Sequence, residues 1–167
     1  MFEIGEYIIY GNTGVCKVAE TTKMTAPGTK ADRLYYALEP VYDKGCRLFT
    51  PVDNPKVKMR PILTREEADE LIGKIKEIDI LWINDEKSRE QAYKDAIRTC
   101  SCVEWVRIIK TLYLRKQSRL AAGKKVTSSD AKYLHLAEDS LYGELSVAMG
   151  IPKGEIEDYI IKRMREE

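Results

Sequence analysis

Histidine is nearly absent from this 167-residue chain, and its cysteines do not pair up. His135 is the only histidine, and Cys16, Cys46, Cys100 and Cys102 form no Cys-x-x-Cys motif. A zinc site needs paired ligands that close a tetrahedron, so no metal is expected and the thiols are read as reduced and unpaired. There is no Gly-x-Gly-x-x-Gly and no phosphate-binding Gly-Lys-Ser/Thr loop, which removes the common nucleotide-binding enzymes. No cysteine has an evident base near it in sequence, so cysteine catalysis has little support. His135 lies in the apolar stretch Tyr133-Leu134-His135-Leu136 and reads as a helix-surface or boundary residue. No catalytic residue and no cofactor are therefore expected. No apolar run approaches the ~20 residues of a membrane-spanning helix. The first residues, Met1-Phe2-Glu3-Ile4-Gly5-Glu6, are acidic and lack the basic-then-apolar layout of a secretory signal, so the cytoplasm is the expected compartment. With only six prolines and ten glycines, and 44% hydrophobic against 33% charged residues, the composition suits a packed fold.

Two kinds of pattern divide the chain. Residues 1–63 read as short strands at 7–10, 15–20, 34–39, 47–50 and 57–60, rich in β-branched and aromatic residues and punctuated by Gly11-Asn12, Pro27-Gly28, Pro40 and Pro51. Five short strands with tight turns predict a small antiparallel barrel, because closure removes exposed edges. Residues 64–167 read as a compact all-α domain, giving an α+β protein. Thr64-Arg65-Glu66-Glu67 is a capping box, followed by the stripe Leu71, Ile72, Ile75 and Ile78. A second helix over 85–100 turns Tyr93, Ala96, Ile97 and Cys100 inward. A third over 103–122 is expected to bury Val103, Val106, Ile109, Leu112 and Tyr113 and to stop at Gly123. A fourth, capped by Thr127 or Ser128, buries Leu134, Leu136, Leu141, Tyr142 and Leu145 and ends at Gly150. Pro152 opens a last short helix.

The net charge of +1 conceals an uneven distribution. Between Lys87 and Lys125 stand eleven basic residues against three acids, Glu90, Asp95 and Glu104. Such asymmetry fits either an ordinary solvated helical face or a surface turned toward a polyanion. On the third helix Arg115 and Arg119 share a face, with Lys116 beside them and Lys124-Lys125 in the following turn. A helix end of this kind can meet adjacent backbone phosphates without reading sequence. Of the two tryptophans, Trp105 reads as core. Trp82, in Ile80-Leu81-Trp82-Ile83-Asn84-Asp85, fits packing against the preceding helix or a wedge pressed on a duplex base step equally well.

The ordered set of motifs resembles the CarD/CdnL family of bacterial transcription regulators. The resemblance rests on Phe2-Glu3-Ile4-Gly5-Glu6-Tyr7-Ile8-Ile9-Tyr10 with Gly14, on Thr50-Pro51-Val52-Asp53-Asn54 with Val57-Lys58-Met59-Arg60, and on Tyr93-Lys94, Leu112-Tyr113-Leu114-Arg115-Lys116 and Leu141-Tyr142-Gly143-Glu144-Leu145. It implies a Tudor-like barrel, shared with transcription-repair coupling factor, that binds the β subunit of RNA polymerase by strand-edge addition. It further implies a monomeric, nucleoid-associated regulator whose helical domain rests on promoter DNA without sequence specificity. A tryptophan there wedges at the edge of the melted bubble, which prolongs the open complex or changes the rate of escape. Relative to better-known members the tryptophan stands further from the tyrosine matched by Tyr93. Either Trp82 still serves as the wedge, or Lys87 and Arg89 replace it with charge; a flat apolar group stacks better, which favours Trp82. The DNA face is then Trp82, Lys87, Arg89, Lys94, Arg115, Lys116, Arg119, Lys124 and Lys125. A basic polymerase-contacting residue of the family falls at Phe49, leaving Arg47 and Arg60 as nearby cations for an acidic patch. The competing reading is a protein-interaction module that binds polymerase or another acidic partner and never touches DNA.

Overall fold

The structure, a computed structural model, describes residues 1–25, 28 and 32–166. The chain divides into two compact units, Met1–Ile62 and Leu63–Glu167. The first holds strands β1 (Tyr7–Tyr10), β2 (Gly14–Thr25), β3 (Asp32–Pro40), β4 (Leu48–Pro51) and β5 (Met59–Pro61) in one antiparallel sheet of order β4-β3-β2-β1-β5. Period-two alternation puts Ile8, Cys16, Val18, Tyr36 and Leu38 on one buried face, with Phe2, Tyr10, Leu48, Val52 and Met59 packed over them. Phe2 is tied there by its backbone N–H, which donates to the Tyr36 hydroxyl at 2.8 Å, and by ring centroids 5.7 Å apart.

The expected closed barrel is corrected to an open sheet. β4 and β5 are the two ends of the strand order, and no ladder joins them among the described residues. The edges are managed instead by being short, four and three residues, and by ending in Pro51 and Pro61, which donate no backbone hydrogen bond. β2 and β3 extend beyond their predicted ends and pair from Cys16–Pro40 out to Thr25–Asp32. The turn read at Pro27-Gly28 lies largely outside the described residues. At the β1–β2 turn, Gly11 has φ +46° and a Cβ there would stand 2.9 Å from Val57 Cγ1, so this turn admits glycine alone without rearrangement.

The second unit holds helices α1 (Arg65–Gly73), α2 (Glu86–Arg98), α3 (Cys102–Ala121), α4 (Ser128–Met149) and α5 (Ile156–Glu166). The Thr64 capping box forms as its sequence dictates: the hydroxyl accepts from Glu67 N–H at 3.1 Å and the Glu67 carboxylate from Thr64 N–H at 3.0 Å. Thr127, not Ser128, caps α4, accepting from Asp130 N–H. Gly150 closes α4 in the left-handed conformation. The buried stripes of α3 and α4 differ from expectation. On α3, Cys102, Trp105, Val106, Ile108, Thr111 and Leu112 are buried, whereas Val103 is exposed and Tyr113 is 55% exposed. Apolar residues ring much of this helix, so two adjacent stripes fit its period, and the stripe that buries the large Trp105 indole prevails. On α4, Tyr133, Ala137, Leu141 and Leu145 face inward and Leu136 does not. The Glu144 carboxylate is fully buried, accepting from Leu63 N–H at 2.8 Å and from the Cys102 thiol at 3.1 Å, and so ties the entry of α1 and the start of α3 to α4.

Candidate nucleic-acid and polymerase interface

Between α1 and α2, residues 78–85 form neither helix nor strand. Trp82 sits in their midst at 79% exposure, so the indole does not pack against the preceding helix. Three residues on, the Asp85 carboxylate accepts from Lys87 N–H at 3.0 Å and starts α2. Lys87 therefore projects from the first turn of α2, exposed, with no ion pair among the described residues.

The other cations divide into two groups. Arg115, only 19% exposed, donates from Nε to Asp130 at 2.6 Å and from Nη1 to Glu86 at 3.0 Å. Those bonds hold the Glu86 carboxyl below the usual carboxylate range, the Arg115 hydrogen bond being the largest cause. Arg89 bonds the same Glu86 at 3.2 Å and the Tyr93 hydroxyl at 2.9 Å. Lys94 stands 3.7 Å from Glu90. Arg119 Nε donates to the Lys125 carbonyl at 2.8 Å, bracing the turn after α3. Arg107 and Lys110 are likewise drawn inward, the first 3.0 Å from Glu104 and the second onto the backbone carbonyls of Ile75, Lys76 and Ile78. By contrast Lys116, Lys124 and Lys125 are exposed and make no ion pair among the described residues. Charge count alone thus overstates the cationic face: Lys87, Lys116, Lys124 and Lys125 offer their charge outright, while Arg89, Lys94, Arg115 and Arg119 also build the fold.

In the sheet unit the expected contact residues fall on opposite edges. Phe49, 46% exposed, and Arg47 lie at the β4 edge, with Arg47 3.5 Å from Glu39 and 3.9 Å from Glu20. Arg60 lies on β5, at the far end of the strand order, donating to the Pro61 carbonyl at 3.1 Å. His135 is exposed on α4. Among the described residues no three His, Cys, Asp or Glu side chains converge as metal ligands would, and no helix is long and apolar enough to cross a membrane. Sequence reasoning missed Thr111, Lys110 and Arg107 as the residues that hold the Trp82 segment. Their i, i+3, i+4 spacing on one face of α3 was the available signal.

Residues 2–63 match the family model of the CarD-like/TRCF RID domain, and residues 82–161 match that of the CarD C-terminal domain. An edge-bearing sheet unit and a helical unit matched in this order define an RNA polymerase-interacting transcription regulator, a class that works by binding and not by turnover. The chain belongs to the CarD/CdnL family. No curated protein matches it closely enough to refine the assignment.

Proposed function

We propose that the chain binds the β subunit of RNA polymerase through the β4 edge of its sheet and contacts upstream promoter DNA without sequence specificity through its helical unit, lengthening the life of the open complex. The observation that carries this reading is Trp82: an indole 79% exposed, with the exposed Lys87 five residues on in the first turn of α2. An exposed apolar wedge with a cation on the turn that follows suits a duplex edge, where the indole covers an unstacked step and the ammonium meets a phosphate. Lys116, Lys124 and Lys125 add phosphate contacts. Such a protein favours melting only by as much as it binds the melted state better than the closed one. At the sheet, β4 offers backbone groups for an incoming strand, with Phe49 and Arg47 setting the side-chain match. No cofactor is needed, and the chain acts as a monomer in the cytoplasm, on the nucleoid.

The test is the lifetime of promoter open complexes after competitor challenge. Trp82→Ala is expected to return that lifetime to its value without the protein while polymerase still co-purifies with the variant. A wild-type lifetime with Trp82→Ala overturns the wedge. The second reading, a module that binds an acidic protein and not DNA, draws on the acids that already neutralise Arg89, Lys94 and Arg115. Crosslinking from Lys87 and Lys124 within a polymerase–promoter complex separates the two: adducts on DNA support the first, and adducts on protein alone support the second.

A further inference from the structure

An irregular segment must place its backbone polar groups somewhere, and the segment that carries Trp82 places them on one turn of α3. Lys110 Nζ donates to the carbonyls of Ile75 at 2.9 Å, Lys76 at 3.4 Å and Ile78. Arg107 Nη2 reaches the Ile80 carbonyl at 3.5 Å. The Thr111 hydroxyl accepts from Leu81 N–H at 2.8 Å while donating to the Arg107 carbonyl at 2.6 Å. Thr111 is only 7% exposed, so both halves of its hydroxyl are used where water has little access. The bond to Leu81 is the last fixed point before Trp82, one peptide away.

We propose that Thr111 is the positioning residue for Trp82: its hydroxyl clamps the Leu81 amide and thereby sets the direction in which the indole leaves the surface. This rests on the reading of Trp82 as the DNA-contacting wedge. An exposed indole on an unpinned segment samples many directions, and ordering it on docking opposes binding. With Leu81 fixed, the remaining freedom is that of one peptide and two side-chain torsions. Lys110 and Arg107 hold the approach to the clamp, which explains why two cations of the basic stretch face inward.

The experiment uses the full chain labelled with 5-fluorotryptophan, whose two fluorine signals report Trp82 and Trp105 separately, together with residue-resolved amide exchange. In the wild type, the Leu81 amide is expected to exchange at least about tenfold more slowly than the Ile83 and Asn84 amides, as a buried hydrogen bond requires. Thr111→Val, which keeps the shape and removes the oxygen, is expected to abolish that protection and narrow the Trp82 signal toward that of a free side chain. The Trp105 signal should stay put, the open-complex lifetime should shorten, and Thr111→Ser should restore all of these. An unprotected Leu81 amide in the wild type overturns the inference with no variant needed. So does a Thr111→Val protein in which Trp82 behaves as before, or one in which Trp105 is disturbed equally. The functional reading fails separately: if Trp82→Ala leaves the lifetime unchanged while Leu81 remains clamped through Thr111, the clamp stands and the wedge does not.

Discussion

Cys16 shows how a single side chain reports its surroundings. It sits in the sheet core with no exposed surface, and burial, reinforced by nearby Cys46, pushes its thiol up from 9.0 to about 11. The folded chain therefore resists ionising this group more than the unfolded chain does. Its contribution to stability is complete below pH 9 and is lost as pH rises toward 11. Denaturant unfolding at pH 8 and at pH 10.5 should show a steeper alkaline loss for the wild type than for Cys16→Ala, although the alanine variant starts less stable because of the cavity it leaves. Equal slopes would place the alkaline sensitivity elsewhere. The sequence marks Cys16 as an unpaired thiol but says nothing of its depth. Depth comes from pairing opposite Ile8 and Pro40, partners set by the register of β1, β2 and β3. The two tryptophans make the same point. Trp105 is recognisable as core from its amphipathic helix, whereas the exposure of Trp82 depends on a segment with no period to read.

Among elements, α2 carries the clearest consequence. Its start is legible from Asp85, a side chain that satisfies an otherwise orphaned amide. Its electrostatic state is not, because Glu86 on its first turn receives Arg115 from a helix 29 residues further along. Glu86→Gln removes the acid that holds Arg89 and Arg115. The expected outcome is tighter binding to duplex DNA in the presence of polymerase and a steeper dependence on salt, by one to two phosphate equivalents at about 0.9 each on a log–log plot. Stability should change by less than about 1 kcal/mol, since the Glu86 side chain is largely exposed. An unchanged salt slope would show that these arginines serve the fold alone. α3 is the element whose length was readable and whose orientation was not. Its apolar residues satisfy two stripes, and the choice between them also sets Tyr113 outside and Thr111 inside.

For the whole molecule, the division into a β-rich and an α-rich part is written in the change of period at Thr64, where alternation gives way to helical spacing behind a capping box. What the sequence does not carry is closure. Five strands with tight turns fit a barrel or an open sheet, and the outcome depends on whether β4 and β5 meet, which their three or four residues each do not decide in advance. The two edges are consequently unequal surfaces, and only β4 presents an exposed aromatic, Phe49. Phe49→Asp should leave the thermal unfolding of the chain nearly unaltered while lowering the amount of core polymerase retained by the immobilised full-length protein. Retention equal to wild type would move the contact to β5 and Arg60.

The prolines that finish both outer strands have an effect beyond blunting them. A guest strand laid along β4 finds room for only a couple of rungs before Pro51 withholds the next donor, and along β5 the ladder is shorter still. Two rungs can seat one visitor whose side chains supply the rest of the attraction. They cannot propagate, so copies of this chain are denied the ribbon growth by which open sheets pass into fibres, and the rim stays vacant for a different molecule.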